Sequence, residues 1–97
     1  MGAYQNSLKI TFNFKNKANG SIMGKETFGK HEDAMDIIKF LNLRAPITEG
    51  QQYYNLYKGA NGASAISYSE LSEKTIEQLN LANNETLFFS VDNEATF

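Results

Sequence analysis

Leu8-Lys9-Ile10-Thr11-Phe12-Asn13-Phe14-Lys15 alternates apolar and polar residues without a fault. A side-chain period of two belongs to a β-strand, whose successive residues point to opposite faces. The stretch predicts a strand with Leu8, Ile10, Phe12 and Phe14 on a buried face and Lys9 and Lys15 on the other. Asn19-Gly20 then supplies two residues that tolerate the positive φ of a tight hairpin turn. Residues 21–28 read as the returning strand. Their alternation is broken by adjacent Ile22 and Met23 and by Gly24, and a bulge near Gly24 reconciles it.

Beyond the hairpin the period changes. Ala34, Ile37, Ile38 and Leu41 recur at the spacing of one helical face, which predicts a helix over 33–43. Asp33 suits the N-cap, because its carboxylate can accept a free N–H of the first turn. Pro46 stops the helix by Arg44. Residues 52–58 predict a third strand with Tyr54 and Leu56 inward and Tyr53 and Tyr57 outward; Asn55 is not expected to meet a core. After the turn Gly59-Ala60-Asn61-Gly62, a short fourth strand is expected over 64–69 around Ile66 and Tyr68. Residues 70–81 read as short helical turns anchored by Leu71, Ile76, Leu79 and Leu81. Residues 86–91 read as the last strand, with Leu87, Phe89 and Val91 inward. The expected fold class is α+β: a mixed sheet of four or five strands with one main helix across one face. Parallel neighbours in it need a helical crossover, which 33–43 provides.

Ninety-seven residues make one domain. The expected division is a flexible N-terminus at 1–6, the domain at 7–92 and a fraying tail at 93–97. Zero Cys excludes a disulfide framework, a thiolate metal site and a cysteine nucleophile, and one His excludes multi-histidine metal sites. No apolar run approaches the ~20 residues of a membrane span. No secretory leader is visible at Met1-Gly2-Ala3-Tyr4, so the cytoplasm is the expected compartment. Residues 1–30 hold five Lys against one Glu, and the rest holds four cations against ten acids, so +4 faces −6 in a chain of net charge −2. A sequence pI near 5.3 argues against nucleic acid as the main ligand.

The stretch Thr75-Ile76-Glu77-Gln78-Leu79-Asn80-Leu81, then Ala82-Asn83-Asn84-Glu85-Thr86-Leu87-Phe88-Phe89-Ser90-Val91, resembles the final segment of ubiquitin. There a Thr-Leu pair opens a short helical turn, an Asn-Ile follows, a polar turn comes next, and a Thr-Leu begins the last strand. Leu56-Tyr57-Lys58-Gly59 stands where that family has Ile-Phe-Ala-Gly, and Asp33, Ala34, Ile37 and Leu41 match its helix. The likeness covers about residues 7–92 in element order and the last twenty or so in side-chain detail. It implies a β-grasp, ubiquitin-like fold and a domain that acts by binding. The sequence departs from the family at two places. It ends Val91-Asp92-Asn93-Glu94-Ala95-Thr96-Phe97 without Gly-Gly, and Ala60 follows Gly59 where the family carries a linkage lysine. The expectation is therefore a non-conjugated, non-catalytic adaptor that needs no cofactor or metal.

The resemblance places Phe88 on the recognition patch of the open sheet face. Tyr53 and Tyr57 are expected on the same face, with Arg44 and Lys58 around it. Large rigid rings at a surface suit a binding hot spot. The alternative site is the basic first hairpin, Lys9, Lys15 and Lys25, which in Ras-type GTPase-binding domains of the same fold meets an acidic strand edge. Its plainer reading is a solvated strand whose lysines protect an edge. Two further alternatives are a bacterial ubiquitin-like secretion accessory and an enzyme-effector subunit. The expected partner is a protein, with the domain itself a monomer or weak dimer. His31, beside Glu32 and Asp33, reads as a solvated residue, and no serine stands in a nucleophile context.

Overall fold

The alternating stretch forms β1 (Lys9–Asn16), and the chain returns through the Asn19-Gly20 turn as β2 (Ile22–Gly29). The two pair antiparallel, with Phe14 opposite Gly24 and Lys15 opposite Ile22, so Met23 is the extra residue of a bulge. Gly24 adopts φ 137°, a backbone that side chains resist. The computed structural model describes residues 8–48 and 50–97, and the expected flexible stretch 1–6 lies outside them. The remaining elements are α1 (Asp36–Arg44), β3 (Tyr53–Lys58), a 3₁₀ turn (Ala60–Gly62), β4 (Ser64–Ile66), α2 (Tyr68–Glu73), a second 3₁₀ turn (Glu77–Leu79) and β5 (Glu85–Asp92).

Among the described residues five strands make one sheet in the order β2-β1-β5-β3-β4. Of these neighbours β1 and β5 run parallel and the others antiparallel. The inner face carries Ile10, Phe12, Phe14, Phe28, Leu56, Leu87 and Phe89, and the helix buries Ile37, Ile38 and Leu41 against it. Phe40 seals one side, its ring 5.0 Å from that of Phe14 and 6.0 Å from that of Phe28. This is the α+β architecture expected, with five strands.

Four local expectations change. The helix begins at Asp36, with Met35 before it and no side-chain cap, rather than at Asp33. Asp33 is held in a bridge with Thr75: Ala34 N donates to Lys74 O and Ile76 N to Glu32 O. Backbone committed to that pairing cannot enter a helix until it ends. Leu8 precedes the ladder and is exposed. Val91 is exposed as well, because the β1–β5 ladder ends at Phe89 and β5 runs on without β1 beside it. Tyr68 opens α2 rather than extending β4, because Ser67 Oγ accepts the N–H of Glu70 at 3.1 Å and caps a helix there.

Ile37 is fully buried beneath the sheet. Ile37→Ala removes that contact and leaves a cavity, so it is expected to lower stability by about 2–5 kcal/mol in urea unfolding. An unshifted midpoint contradicts the assignment of the buried helix face.

Candidate functional site

The strand alternation that buries one face sets the other. Lys9, Thr11, Asn13 and Lys15 project outward from β1, and Lys25 and Thr27 from β2 opposite them. Phe88, Ser90 and Asp92 project outward from β5, and Tyr53, Asn55 and Tyr57 from β3. Register then decides who meets whom. Phe88 has Lys15 as its partner on β1 and Tyr57 as its partner on β3. The aromatic patch and the basic hairpin are therefore halves of one surface. Lys17, in the turn after β1, adds a further cation, with Nζ 5.1 Å from the centre of the Tyr57 ring.

Phe88 is half-buried rather than open. The 3₁₀ turn lies against it so closely that a Cβ on Gly62 would come within 2.9 Å of the Phe88 Cβ. Gly62 also adopts φ 70°, so the turn needs glycine on two counts. Tyr57 is half-buried and Tyr53 is exposed. Between these two tyrosines on the same face stands Asn55, only 3% exposed. It meets no apolar core; residues 92–96 cover it. Its Nδ2 donates to Asp92 Oδ2 at 2.7 Å and to Glu94 O at 2.9 Å, and its Oδ1 accepts from Thr96 N at 2.9 Å. Ser90 Oγ donates to the same Asp92 oxygen at 2.6 Å and shares a 2.9 Å hydrogen bond with the Tyr57 hydroxyl. Hydrogen bonds from Ser90 and from Asn55 hold the Asp92 carboxyl below its ordinary value, against the opposing pull of partial burial. Residues 94–97, expected to fray, are thus tied to the sheet.

Arg44 and Lys58 do not ring this patch. Arg44 Nη2 donates to Met23 O at 3.3 Å and lies beside Gly24, the inner-face partner of Phe14. Lys58 follows Tyr54 and Leu56 in strand parity, which is the inner face. Two concavities flank the lysines. One of about 170 Å³ is lined by Asn13, Phe14, Lys15, Ile22 and Thr86. The other, about 390 Å³, lies at the opposite end of β1, where Lys9 and Lys30 share it with Glu77.

Among solved structures, the solution structure of the UBL domain of yeast Ddi1 is similar at a TM-score of 0.66, over 87% of this chain and 90% of that one. The fold is the ubiquitin-like β-grasp. Identity to that domain is 14%, so the likeness is one of fold. Neither protein-family models nor curated proteins give a match. Among the described residues no helix is long and apolar enough to cross a membrane, and no group of three or more His, Asp or Glu is placed to hold a metal ion.

On this ubiquitin-like sheet, sequence reasoning missed Lys17, Asn55, Ser90 and Asp92. Strand parity did put Asn55 outward, and a polar residue flanked by four aromatic or aliphatic ones is the signal that something polar must cover it.

Two outcomes follow from this geometry. Gly62→Ala is expected to lower stability by about 1–3 kcal/mol through overpacking against Phe88, read by urea unfolding. Asp92 is a carboxyl whose folded pKa is depressed. Its contribution to stability is therefore full above about pH 4 and is lost as pH falls through the lower folded value. The gap in urea midpoint between wild type and Asp92→Asn should close as the pH is lowered from about 6 toward 2. A gap of constant size would remove Asp92 from the account.

Proposed function

We propose that this domain is a non-catalytic protein-recognition module that binds its partner through the outward sheet face, with Phe88 and Tyr57 as apolar anchors and Lys15 as the flanking charge. One observation carries the reading: the register that sets Phe88 between Lys15 on β1 and Tyr57 on β3. Aromatic surface bordered by cations suits a partner segment that joins an apolar side chain to carboxylates. The outward strand residues carry Lys9, Lys15 and Lys25 against the single carboxylate of Asp92, whose charge is already engaged by Ser90 and Asn55. Tyr53 stands apart from the Phe88–Tyr57 pair, beyond the covered Asn55, and is a peripheral contact in this reading.

A second reading is favoured by the position of β2 at the sheet edge with Lys25 on it. There a GTPase-type partner would add a strand to β2, using Lys9, Lys15 and Lys25 as the steering charge.

The test is capture of a partner by the folded wild-type domain, followed by titration calorimetry with three variants. Phe88→Ala is expected to weaken binding at least about tenfold, equivalent to about 1.4 kcal/mol. Lys15→Glu should weaken it comparably and flatten its salt dependence. Arg44→Ala, off the face, should change nothing. Loss with Lys25→Glu but not with Phe88→Ala selects the edge-strand reading. Retention by Phe88→Ala and Lys15→Glu together rejects the face.

A further inference from the structure

Asn55 is the polar side chain this fold buries on the wrong side of its sheet, and what it holds is main chain. Its carboxamide donates to the carbonyl of Glu94 and accepts the N–H of Thr96. These two groups belong to residues two apart, the spacing at which an extended strand offers its N–H and C=O to one side. The amide of Asn55 thus copies one rung of a β-ladder with a side chain. A second rung is real backbone: Tyr68 N donates to Thr96 O at 2.6 Å. The next residue along, Phe97, sets its ring 6.2 Å from that of Tyr68. The floor is rigid, since the Tyr68 hydroxyl donates to Tyr54 O and Asp92 fixes the remaining N–H of the Asn55 amide.

Nothing in this set reads the side chains of Glu94, Ala95 or Thr96. The hydrogen bonds go to their backbone, Glu94 is exposed, and Phe97 is 87% exposed despite touching Tyr68. Residues 93–97 lie outside the strand ladder, so a few contacts hold them, and such segments open far more readily than core strands. A receptor that grips backbone at a fixed spacing and meets one aromatic ring accepts any chain with that pattern.

We propose that Asn55, the Tyr68 N–H and the Tyr68 ring form a peptide-binding site, occupied here by the chain's own residues 94–97. The partner that fits is an extended peptide with a carbonyl and an N–H two residues apart, followed by an aromatic residue. Such a peptide enters by displacing the 93–97 segment, which acts as an internal competitor. The site uses neither ring of the Phe88–Tyr57 pair, although Ser90 and Asp92 link the Tyr57 hydroxyl to the Asn55 amide.

The experiment uses the full ¹⁵N-labelled chain, wild type and Thr96→Pro. The substitution removes the N–H that Asn55 accepts and leaves the receptor side untouched. The probe is a synthetic peptide of residues 93–97, Asn-Glu-Ala-Thr-Phe. In Thr96→Pro the side-chain amide resonances of Asn55 are expected to move, and added peptide should return them toward their wild-type position with saturation in the millimolar range. The wild-type Asn55 resonances should not shift at the concentrations that saturate Thr96→Pro, because the attached segment competes and displacing it takes a larger excess of peptide. A peptide with Pro in place of its Thr should not act on either chain. Unmoved Asn55 resonances in Thr96→Pro, or no return with peptide, overturn the proposal. Should Thr96→Pro lose its dispersed spectrum, amide exchange in the wild type decides. Protection of the Thr96 N–H by about tenfold over the free peptide, reduced when about 20 mM peptide is added, supports the site. Exchange at the free-peptide rate, or protection indifferent to peptide, overturns it.

Discussion

The parallel pairing of β1 with β5 is the contact on which the rest of this molecule depends. It joins the first hairpin to the last strand and puts β1 and β5 inside the sheet. Parallel neighbours cannot be linked by a tight turn, so the chain between them must cross a face, and α1 does so. Phe14 opposite Leu87 fixes the inner side of that pairing, and Lys15 opposite Phe88 the outer side. A slip of one residue would turn every side chain of β5 over. The burial of Phe12, Phe14, Leu87 and Phe89 forbids that slip, and so the core determines the composition of the exposed face.

The outward face is a mixture that neither half of the sequence announces. Lysines come from residues 9–25, a tyrosine from 57, and Phe88, Ser90 and Asp92 from the last strand. An aromatic group and a basic group read as rival sites in the linear chain become neighbours once β1 and β5 lie side by side. Complementary charge beside an apolar anchor speeds encounter as well as strengthening the bound state. The fold alone does not specify a function; what the register adds is the juxtaposition of Lys15, Phe88 and Tyr57 on one face.

The covered part of the face has a different logic. A buried amide is tolerable only when its donors and acceptor are all satisfied. Asp92, Glu94 and Thr96 supply every partner that Asn55 uses. The Tyr57–Ser90–Asp92–Asn55 chain of hydrogen bonds ties the end of β5 and the following segment to β3. A Val or Leu at 55 would have left the Glu94 carbonyl and the Thr96 N–H without these partners, and only the Tyr68 N–H on the backbone of this segment.

Much of this was legible in the sequence. Period two in residues 8–15, period 3.6 in residues 34–41 and the Asn19-Gly20 turn are local patterns, set by which side chains must leave water and which backbone angles glycine allows. They set the first hairpin, the buried stripe of the helix and most of the inner face, and the resemblance of residues 75–91 to a ubiquitin segment pointed to the arrangement. What only the tertiary structure decided involves groups far apart in the chain. Asp33 lost its capping role because Thr75 paired with its backbone. Asn55 became buried because residues some forty positions later returned to its carboxamide. Phe88 was half-covered because Gly62 leaves room for a turn to approach it. Each outcome depends on hydrogen bonds or close approach between distant segments, and a one-dimensional pattern of polarity carries no information about which distant group arrives.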